Sequence, residues 1–292
     1  FLGARAAGSR YAVVDEIGRG GAATVFRARD RVVAREVALK IFHARGAAAE
    51  RRARIVSEAR IAGSFDHPHV VPILDLDESR DLLVMALCDG GSLQRRLSLE
   101  KKLRHSDAVE LGAVLLRTLA DIHDAGHVHL DIKPSNLLFH EGQLMLCDFG
   151  TAGMRELGGL AGTRAYMAPE HRATTQAAAP ADLYMAGLVI AECIDGKLPA
   201  FGTAPSLTSL QVGPRRRALE GVLAELTARD PDARPKDGRA AADRLLEAGA
   251  LPLADKEGEA LYHHVESLAA REGDAAVARM RANPLVDALR PR

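Results

Sequence analysis

The stretch that decides the fold is His129-Leu130-Asp131-Ile132-Lys133-Pro134-Ser135-Asn136. Pro134 predicts a loop here, because proline interrupts a helix. A loop can direct Asp131, Lys133 and Asn136 into one small volume. There the carboxylate can accept a proton from a hydroxyl, the ammonium can neutralise phosphate charge, and the carboxamide can supply an oxygen ligand to Mg²⁺.

A second motif, Asp148-Phe149-Gly150, follows twelve residues after Asn136. Asp148 offers a second oxygen ligand for a divalent cation. Chance is a poor explanation for both motifs at this distance. Together they predict a site that handles phosphate with the help of a metal.

The composition bounds the class of protein. The chain has 292 residues, 47% hydrophobic and 27% charged, which is ordinary for a soluble globular protein. Lys+Arg and Asp+Glu both number 39, so neither nucleic acid nor an anionic membrane is expected as the main partner. The chain begins at Phe1, and no signal peptide is visible. The strongest apolar run, 183–194, is shorter than the roughly 20 residues that span a bilayer.

The cysteines predict the compartment. Cys88, Cys147 and Cys193 show no C-x-x-C spacing, so neither a disulfide framework nor a zinc site is expected. The expectation is a reducing, cytoplasmic environment. Cys147 precedes Asp148 directly and is interpreted as a small buried apolar residue.

The first eighty residues contain three further candidates. A strand predicted over 11–17 is followed by Gly18-Arg19-Gly20-Gly21-Ala22-Ala23-Thr24-Val25. The glycines would allow the backbone to approach a polyphosphate closely. Such a pattern alone, however, is more typical of a turn. Lys40 lies in the next strand, 36–42, either as a surface lysine or as a phosphate clamp. Glu58 lies in a helix predicted over 46–64, either solvated or presented to Lys40.

Later elements suggest two lobes and a tail. Strands are predicted over 70–74 and 82–87, with Met85 as the last large buried side chain before a turn at 88–93. Helices are predicted over 107–126, 183–194, 219–226 and 238–247. His123 and His127 are interpreted as structural. Residues 251–292 predict two amphipathic helices, which could pack on the main domain, bind a partner or self-associate.

These motifs, in this order, resemble the eukaryotic-type Ser/Thr protein kinases, most closely their bacterial members, over 11–247. The resemblance implies an α+β, bilobal fold: a leader at 1–10, a small β-rich N-lobe at 11–87, a mainly helical C-lobe at 88–249, and a helical C-terminal extension at 251–292. The motifs that carry it are Gly18/Gly20, Val37-Ala38-Leu39-Lys40, Glu58, His129-Leu130-Asp131 with Lys133 and Asn136, Asp148-Phe149-Gly150, and Ala168-Pro169-Glu170.

The resemblance also implies a site that binds ATP with Mg²⁺, or with Mn²⁺. The implied catalytic residues are Asp131, which orients and deprotonates the acceptor hydroxyl, Lys133 on the γ-phosphate, Lys40 on the α- and β-phosphates, Glu58 as its brace, and Thr163 beside Asp131 and Lys133. Asn136 and Asp148 are the implied metal ligands. The implied nucleotide site consists of Ile17, Gly18, Gly20, Gly21, Val25, Ala38, Lys40, Met85, Ala86, Cys88 and Leu138. In the same fold Asp182 would brace the catalytic loop, and Glu170 would pair with Arg234.

One departure from the family pattern suggests how activity is controlled. Leu130 replaces the arginine that, in the family, receives a phosphorylated activation loop. The segment between Gly150 and Ala168 is also short, with hydroxyls at Thr151, Thr163 and Tyr166. We therefore predict an active state that does not require activation-loop phosphorylation.

The predicted function is an ATP-dependent serine/threonine protein kinase that acts on protein substrates. One alternative is a pseudokinase, an ATP-binding scaffold without transfer, towards which Leu130 and Ala23 point slightly. A second is a small-molecule phosphotransferase of similar fold, which would not be expected to carry Lys133-Pro134, Gly162-Thr163 or Ala168-Pro169-Glu170.

Overall fold

The computed structural model describes residues 10–43, 48–64, 66–149, 161–173 and 178–251, and positions 266–267, 270–271, 273 and 277–278. The N-terminal part is a five-stranded antiparallel sheet of strand order β1-β2-β3-β5-β4. Its strands are β1 (Tyr11–Arg19), β2 (Ala23–Asp30), β3 (Arg35–Phe42), β4 (Ile73–Asp77) and β5 (Leu82–Ala86).

The central strand β3 explains where Lys40 points. Alternate residues of a strand face opposite sides of the sheet. Val37 and Leu39 pack in one apolar cluster, whereas Ala38 packs in another with Leu83. Lys40 therefore shares the side of Ala38, which is the side that faces the rest of the molecule.

Helix α1 (Ala48–Gly63) covers that side of the sheet. Its buried residues Ile55, Glu58 and Ala62 are spaced by three and four positions, so they form one face of the helix. Glu58 thereby places a carboxylate of this otherwise apolar face in the interior of the protein.

In the C-terminal part, the residues that the structure describes form helices, connecting loops and one hairpin. The long helix α3 and the helix α6 form its centre; thirteen of the residues of α6 are buried, which accounts for its apolar sequence. The elements are α2 (Leu93–Glu100), α3 (His105–Asp124), β6 (Leu137–His140), β7 (Gln143–Leu146), α4 (Ala161–Tyr166), α5 (Pro169–Ala173), α6 (Ala179–Asp195), α7 (Pro214–Leu226) and α8 (Gly238–Ala250).

This architecture confirms the predicted α+β, bilobal class, but some bounds differ. The strand expected over 70–74 lies instead at Ile73–Asp77, and Val70 forms an isolated bridge to Leu146 of β7. The helix expected over 219–226 begins at Pro214, and the sequence analysis assigned no strand to Ala23–Asp30. Pairing with neighbouring strands sets the bounds of β2 and β4, because the charged residues within both strands obscure the pattern of a strand.

The two ends of the chain fall mostly outside the described residues. From the leader, Arg10 is described, and its guanidinium binds Asp30 and Asp75 at 2.8 Å and 2.7 Å. From the extension, 266–267, 270–271 and 277–278 are helical. Among the described helices, none combines the length and apolar character needed to cross a membrane.

Candidate active site

Lys40 stands at the junction between the sheet and the helical part. Its Nζ atom lies 2.5 Å from Oε1 of Glu58 on α1 and also donates to Oδ1 of Asp148, which follows β7. The side chains of Lys40 and Glu58 are 9% and 3% exposed, while that of Asp148 is 37% exposed. One ammonium thus joins strand, helix and C-terminal part, and Glu58 is not the solvated residue that the sequence also allowed.

The charges in this cluster stabilise one another. Burial alone would lower the pKa of Lys40, but the carboxylates of Asp148 and Glu58 outweigh it and raise that pKa. Burial raises the pKa of Glu58 against the opposing charge of Lys40. Desolvation would also raise the pKa of Asp148, yet the Lys40 ammonium lowers it overall. Lys40 and Asp148 are therefore held in their charged forms.

The loop between α3 and β6 gathers the three polar side chains predicted there. Pro134–Asn136 form a short 3₁₀ turn, as the proline suggested. Lys133 donates from Nζ to Oδ2 of Asp131 at 2.7 Å, and Asn136 donates from Nδ2 to the same oxygen at 2.9 Å. Asn136 Nδ2 also donates to the Asp131 carbonyl at 2.9 Å, so the carboxylate is fixed from two sides.

A buried carboxylate on α6 binds the backbone of this loop. Asp182 is 0% exposed and accepts from the backbone N–H groups of His129 at 2.8 Å and Leu130 at 2.7 Å. Its Oδ2 also lies 2.9 Å from Nε2 of His123. Leu130 has φ +62°, a left-handed conformation that is strained for leucine. The two oxygens of Asp182 stabilise that conformation, as the resemblance implied, and His123 has the predicted structural role.

The ring of His129, a residue with no role predicted from the sequence, connects both motifs. Its Nδ1 accepts from the Asp131 N–H at 3.2 Å, and its Nε2 lies 3.0 Å from the Cys147 carbonyl, to which it therefore donates. The ring also packs on Phe149, with centroids 4.6 Å apart. Burial lowers the pKa of His129, so its ring is neutral. The sequence signal for this role is a histidine at the first position of the motif 129–136.

The chemistry of the donor set fits a small divalent cation. Because Asn136 uses Nδ2 on Asp131, its Oδ1 is the atom left to act as a ligand; it accepts a long bond of 3.3 Å from Ser135. The Asp148 carboxylate is ionised and partly exposed. Mg²⁺ is usually held by one or two protein oxygens together with waters and substrate phosphates. Within the described residues, no cluster of three or more His, Cys, Asp or Glu is arranged to hold a metal ion.

Apolar side chains line the space between the sheet and the loop. Ala38, Met85 and Met145 are buried in one cluster, against which Val25, Leu138 and Cys88 pack. Ile17 is 48% exposed, although it is a large apolar residue. Such a wall suits the flat, largely apolar faces of a nucleobase.

Ala86 and Cys88, at the edge of this apolar wall, can offer a ligand only some of their polar groups. The Ala86 N–H donates to the Pro72 carbonyl at 3.0 Å, so this N–H is already engaged. Burial raises the pKa of the Cys88 thiol to about 11, which makes it an inert neighbour rather than a nucleophile. Burial likewise raises the pKa of Cys147, in keeping with its predicted apolar role.

The glycine-rich segment joins β1 to β2 above the cluster. A methyl group added at Gly18 would lie 3.8 Å from Cβ of Val25, and one added at Gly20 would lie 3.7 Å from the Ala23 carbonyl. Both distances are ordinary contacts, and neither glycine has a positive φ. Gly21 is exposed in the same turn. The fold itself therefore does not demand glycine at Gly18 or Gly20.

Two remaining predictions have different outcomes. Glu170 and Arg234 form the expected pair, with two bonds of 2.6 Å and 2.8 Å and a guanidinium that is 0% exposed. Thr163 belongs to helix α4, but its side chain lies outside the described residues. Its predicted contact with Asp131 and Lys133 stays a prediction.

Comparison with known proteins places this geometry in a family. Residues 11–235 match the protein kinase domain family. The chain is 34% identical to a probable serine/threonine-protein kinase, pknA2, of Bifidobacterium longum over 94% of its own length. It is 32% identical to the serine/threonine-protein kinase PrkC of Bacillus subtilis over 79% of its length. It spans 39% of the length of each of these relatives.

A solved structure agrees with the fold. The chain superposes on a point mutant of the kinase domain of Mycobacterium tuberculosis PknI with a TM-score of 0.68 and 25% identity, covering 82% of this chain and 96% of that one. The match of 11–235 includes Lys40, Glu58, Asp131, Asn136 and Asp148. The chain therefore belongs to the protein kinase domain family, among relatives that are bacterial serine/threonine-protein kinases.

Proposed function

We propose that this chain transfers the γ-phosphate of ATP to serine or threonine hydroxyls of proteins. The observation that carries the proposal is the bridge from Lys40 to Glu58 and Asp148, because it connects sheet, helix and loop in one charged cluster. A buried ammonium at this place is suited to binding phosphate.

The reaction would be catalysed mainly by positioning and charge. Lys133 and Asn136 both donate to Oδ2 of Asp131, which leaves Oδ1 to face an acceptor hydroxyl and receive its proton. Lys40 and Lys133 would oppose the negative charge that spreads over the phosphoryl oxygens. Bound Mg²⁺, or Mn²⁺, would supply further charge neutralisation, held by Asn136 and Asp148.

The nucleotide would occupy the space below the glycine-rich segment. Val25, Ala38 and Leu138 would sandwich the adenine, with Met85 at its back and Ile17 at its edge. The carbonyl of Ala86 and the backbone of Cys88 would pair with its polar rim. Gly18, Gly20 and Gly21 would cover the phosphates, and Thr163 would contact Asp131 and Lys133.

The lobe bounds of the sequence analysis are retained as part of the proposal, with the N-lobe at 11–87 and the C-lobe at 88–249. A leader would precede them at 1–10, and a helical extension at 251–292 would bind a partner or a second copy. A cytoplasmic location stays a prediction; the free thiols of Cys88, Cys147 and Cys193 agree with a reducing compartment.

Control without activation-loop phosphorylation is also proposed. Leu130 is 5% exposed and belongs to the core of the helical part, so it offers apolar contacts where the family pattern has a cation. With leucine at position 130, Lys40 still binds Glu58 and Phe149 is still buried. The apolar packing of Leu130, rather than a phosphate on the activation loop, would therefore stabilise the cluster of Lys40, Glu58 and Asp148.

The test is phosphotransfer from Mg²⁺-ATP by purified protein onto itself and onto a generic basic protein, with Asp131→Asn as the matched variant. The amide oxygen of asparagine can keep the bonds from Lys133 and Asn136, so folding and ATP binding should persist. Because the proton acceptor is lost, we expect transfer to fall at least about a hundredfold.

The outcomes separate the alternatives. Transfer that depends on Asp131 and appears on serine or threonine supports the proposal. ATP binding without transfer by the wild type would favour the scaffold alternative. A phosphatase-treated wild type that loses its activity would contradict control without loop phosphorylation.

A further inference from the structure

His43 is the residue directly after β3, and it contacts the turn between β1 and β2. Its backbone N–H donates to the Ala22 carbonyl at 2.8 Å, which continues the ladder between β2 and β3 by one bond. Its ring nitrogen Nδ1 lies 3.1 Å from the Gly21 carbonyl, and Nε2 lies 2.9 Å from Oγ1 of Thr24. Three positions in and beside the turn, Gly21, Ala22 and Thr24, are thus bonded to one residue.

The two ring contacts are compatible with one neutral tautomer. A carbonyl oxygen can only accept, so Nδ1 must carry the hydrogen and donate to Gly21. Nε2 then accepts from the Thr24 hydroxyl, which is 5% exposed. Both polar atoms of the imidazole are satisfied by the turn, which makes the contact geometrically specific rather than a chance approach.

His43 does not reach the interior of the cleft. Lys40 and Phe42 share one face of β3, since Nζ of Lys40 lies 5.0 Å from the centre of the Phe42 ring. The following position projects to the opposite face of the sheet. Any effect of His43 on the nucleotide must therefore pass through the backbone of the glycine-rich turn.

We propose that His43 is a positioning residue that holds the glycine-rich turn over the nucleotide phosphates. It connects the turn to β3, the strand that carries Lys40, so both phosphate-binding elements keep one relative position. Exposed glycines such as Gly20 and Gly21 give the turn freedom that an anchor must limit. This inference rests on the proposed function, because it requires that ATP bind under the turn.

The test compares two ligands in one variant. ATP carries the phosphates that the turn would cover, whereas adenosine lacks them and would depend on the proposed base-binding residues, such as Val25, Ala38 and Leu138. We expect His43→Ala to weaken ATP binding about three- to tenfold, which is the effect of one or two lost hydrogen bonds, and to leave adenosine binding unchanged. Calorimetry with each ligand measures both constants.

Two further variants make the test specific. Thr24→Val is nearly isosteric and removes the bond to Nε2; it should weaken ATP binding less than His43→Ala, and the double variant should be no weaker than His43→Ala alone. Arg27→Ala is the matched control, since Arg27 joins β2 to Asp15 of β1 at 2.8 Å away from the turn. It should leave the binding of both ligands unchanged.

The results that would overturn the inference are distinct from failure of the proposed function. A wild type that does not bind ATP would contradict the proposed function itself. A wild type that binds ATP, with a His43→Ala variant that binds it equally well, would contradict the role of His43 alone. An equal loss of ATP and adenosine binding would indicate a general structural role and would also overturn the inference. If His43→Ala does not fold, the same ligand comparison on Thr24→Val decides.

Discussion

Gly18 and Gly20 illustrate, at the scale of one residue, how a functional requirement differs from a structural one. At both positions an added methyl group would find contacts of 3.7–3.8 Å. At Gly238, the first residue of α8, the added atom would lie 2.5 Å from the Leu116 carbonyl. The chain therefore contains glycines that the fold requires and glycines that it tolerates.

We expect Gly20→Ala to bind ATP more weakly, while its free energy of unfolding changes by less than about 1 kcal/mol, because the backbone has room but the phosphates would meet the new methyl group. The matched Gly238→Ala should lose about 1–3 kcal/mol of stability with ATP affinity unchanged. Urea unfolding and calorimetry measure the two quantities. Unchanged ATP affinity in Gly20→Ala would contradict a phosphate-binding role for this glycine.

At the scale of elements, the catalytic loop depends on a residue that lies in a different helix. The two oxygens of Asp182 each accept a backbone N–H, one from His129 and one from Leu130. An asparagine at this place would turn its NH₂ group towards one of these donors whichever way it is oriented. The left-handed backbone at Leu130 would then be stabilised by one of these two hydrogen bonds instead of both.

Asp182→Asn should accordingly lower the free energy of unfolding by about 1–3 kcal/mol and reduce phosphotransfer. Asp182 would act by positioning Asp131, so ATP affinity should fall much less than the turnover rate. Asp243→Asn is the control: this exposed carboxylate binds Arg117 at 2.7 Å, and such surface pairs contribute little. A stability equal to that of the wild type would show that the buried carboxylate is not needed as an acceptor.

Element bounds show what local sequence can predict. The sequence predicts helix α3 because its apolar residues recur with a period near 3.6. It predicts strand β3 from a short, nearly continuous apolar run, Val37-Ala38-Leu39-Lys40-Ile41, and four successive residues of this strand are buried. Strand β2 was missed because Arg27, Arg29 and Asp30 dilute its pattern, and its eight pairs with β3 decide its structure. Strand β4 contains Asp75 and Asp77, which are typical of turns, yet it pairs with β5.

At the scale of the whole molecule, the buried histidine His129 links stability to pH. In the unfolded chain an ordinary histidine binds a proton below about pH 6.5. In the folded protein burial lowers the pKa of His129, and its Nδ1 must stay unprotonated to accept the Asp131 N–H. The unfolded state therefore binds more protons in mild acid, so the free energy of unfolding falls as pH falls below about 6.5.

The expected loss from this one group is up to about 1.4 kcal/mol between neutral pH and pH 5.5. Urea unfolding at a series of pH values, with His129→Gln beside the wild type, measures it; the variant should lose less stability over this range. The same change at the partly exposed His140 provides the control. A wild type whose stability is constant from pH 7 to 5.5 would contradict a neutral, buried His129.

The sequence by itself determined the family and the order of the motifs, because those depend on residue types at short spacings within one segment. Asp131, Lys133 and Asn136 are near in sequence, so a single loop was enough to predict that they meet. Their role in catalysis stays a proposal that the phosphotransfer test addresses.

Only the tertiary structure decided which distant residues touch. Lys40 is eighteen positions from Glu58 and 108 from Asp148, and no local pattern distinguishes a clamped lysine from a surface one. When the sheet packs on α1 and β7, the charges of Lys40, Glu58 and Asp148 are wholly or partly removed from water. Each charged group must then pair with an opposite charge. That requirement, which acts between segments far apart in sequence, brings the site together. The pairing of β2 with β3 acts in a similar way on His43, because it places this residue beside the glycine-rich turn.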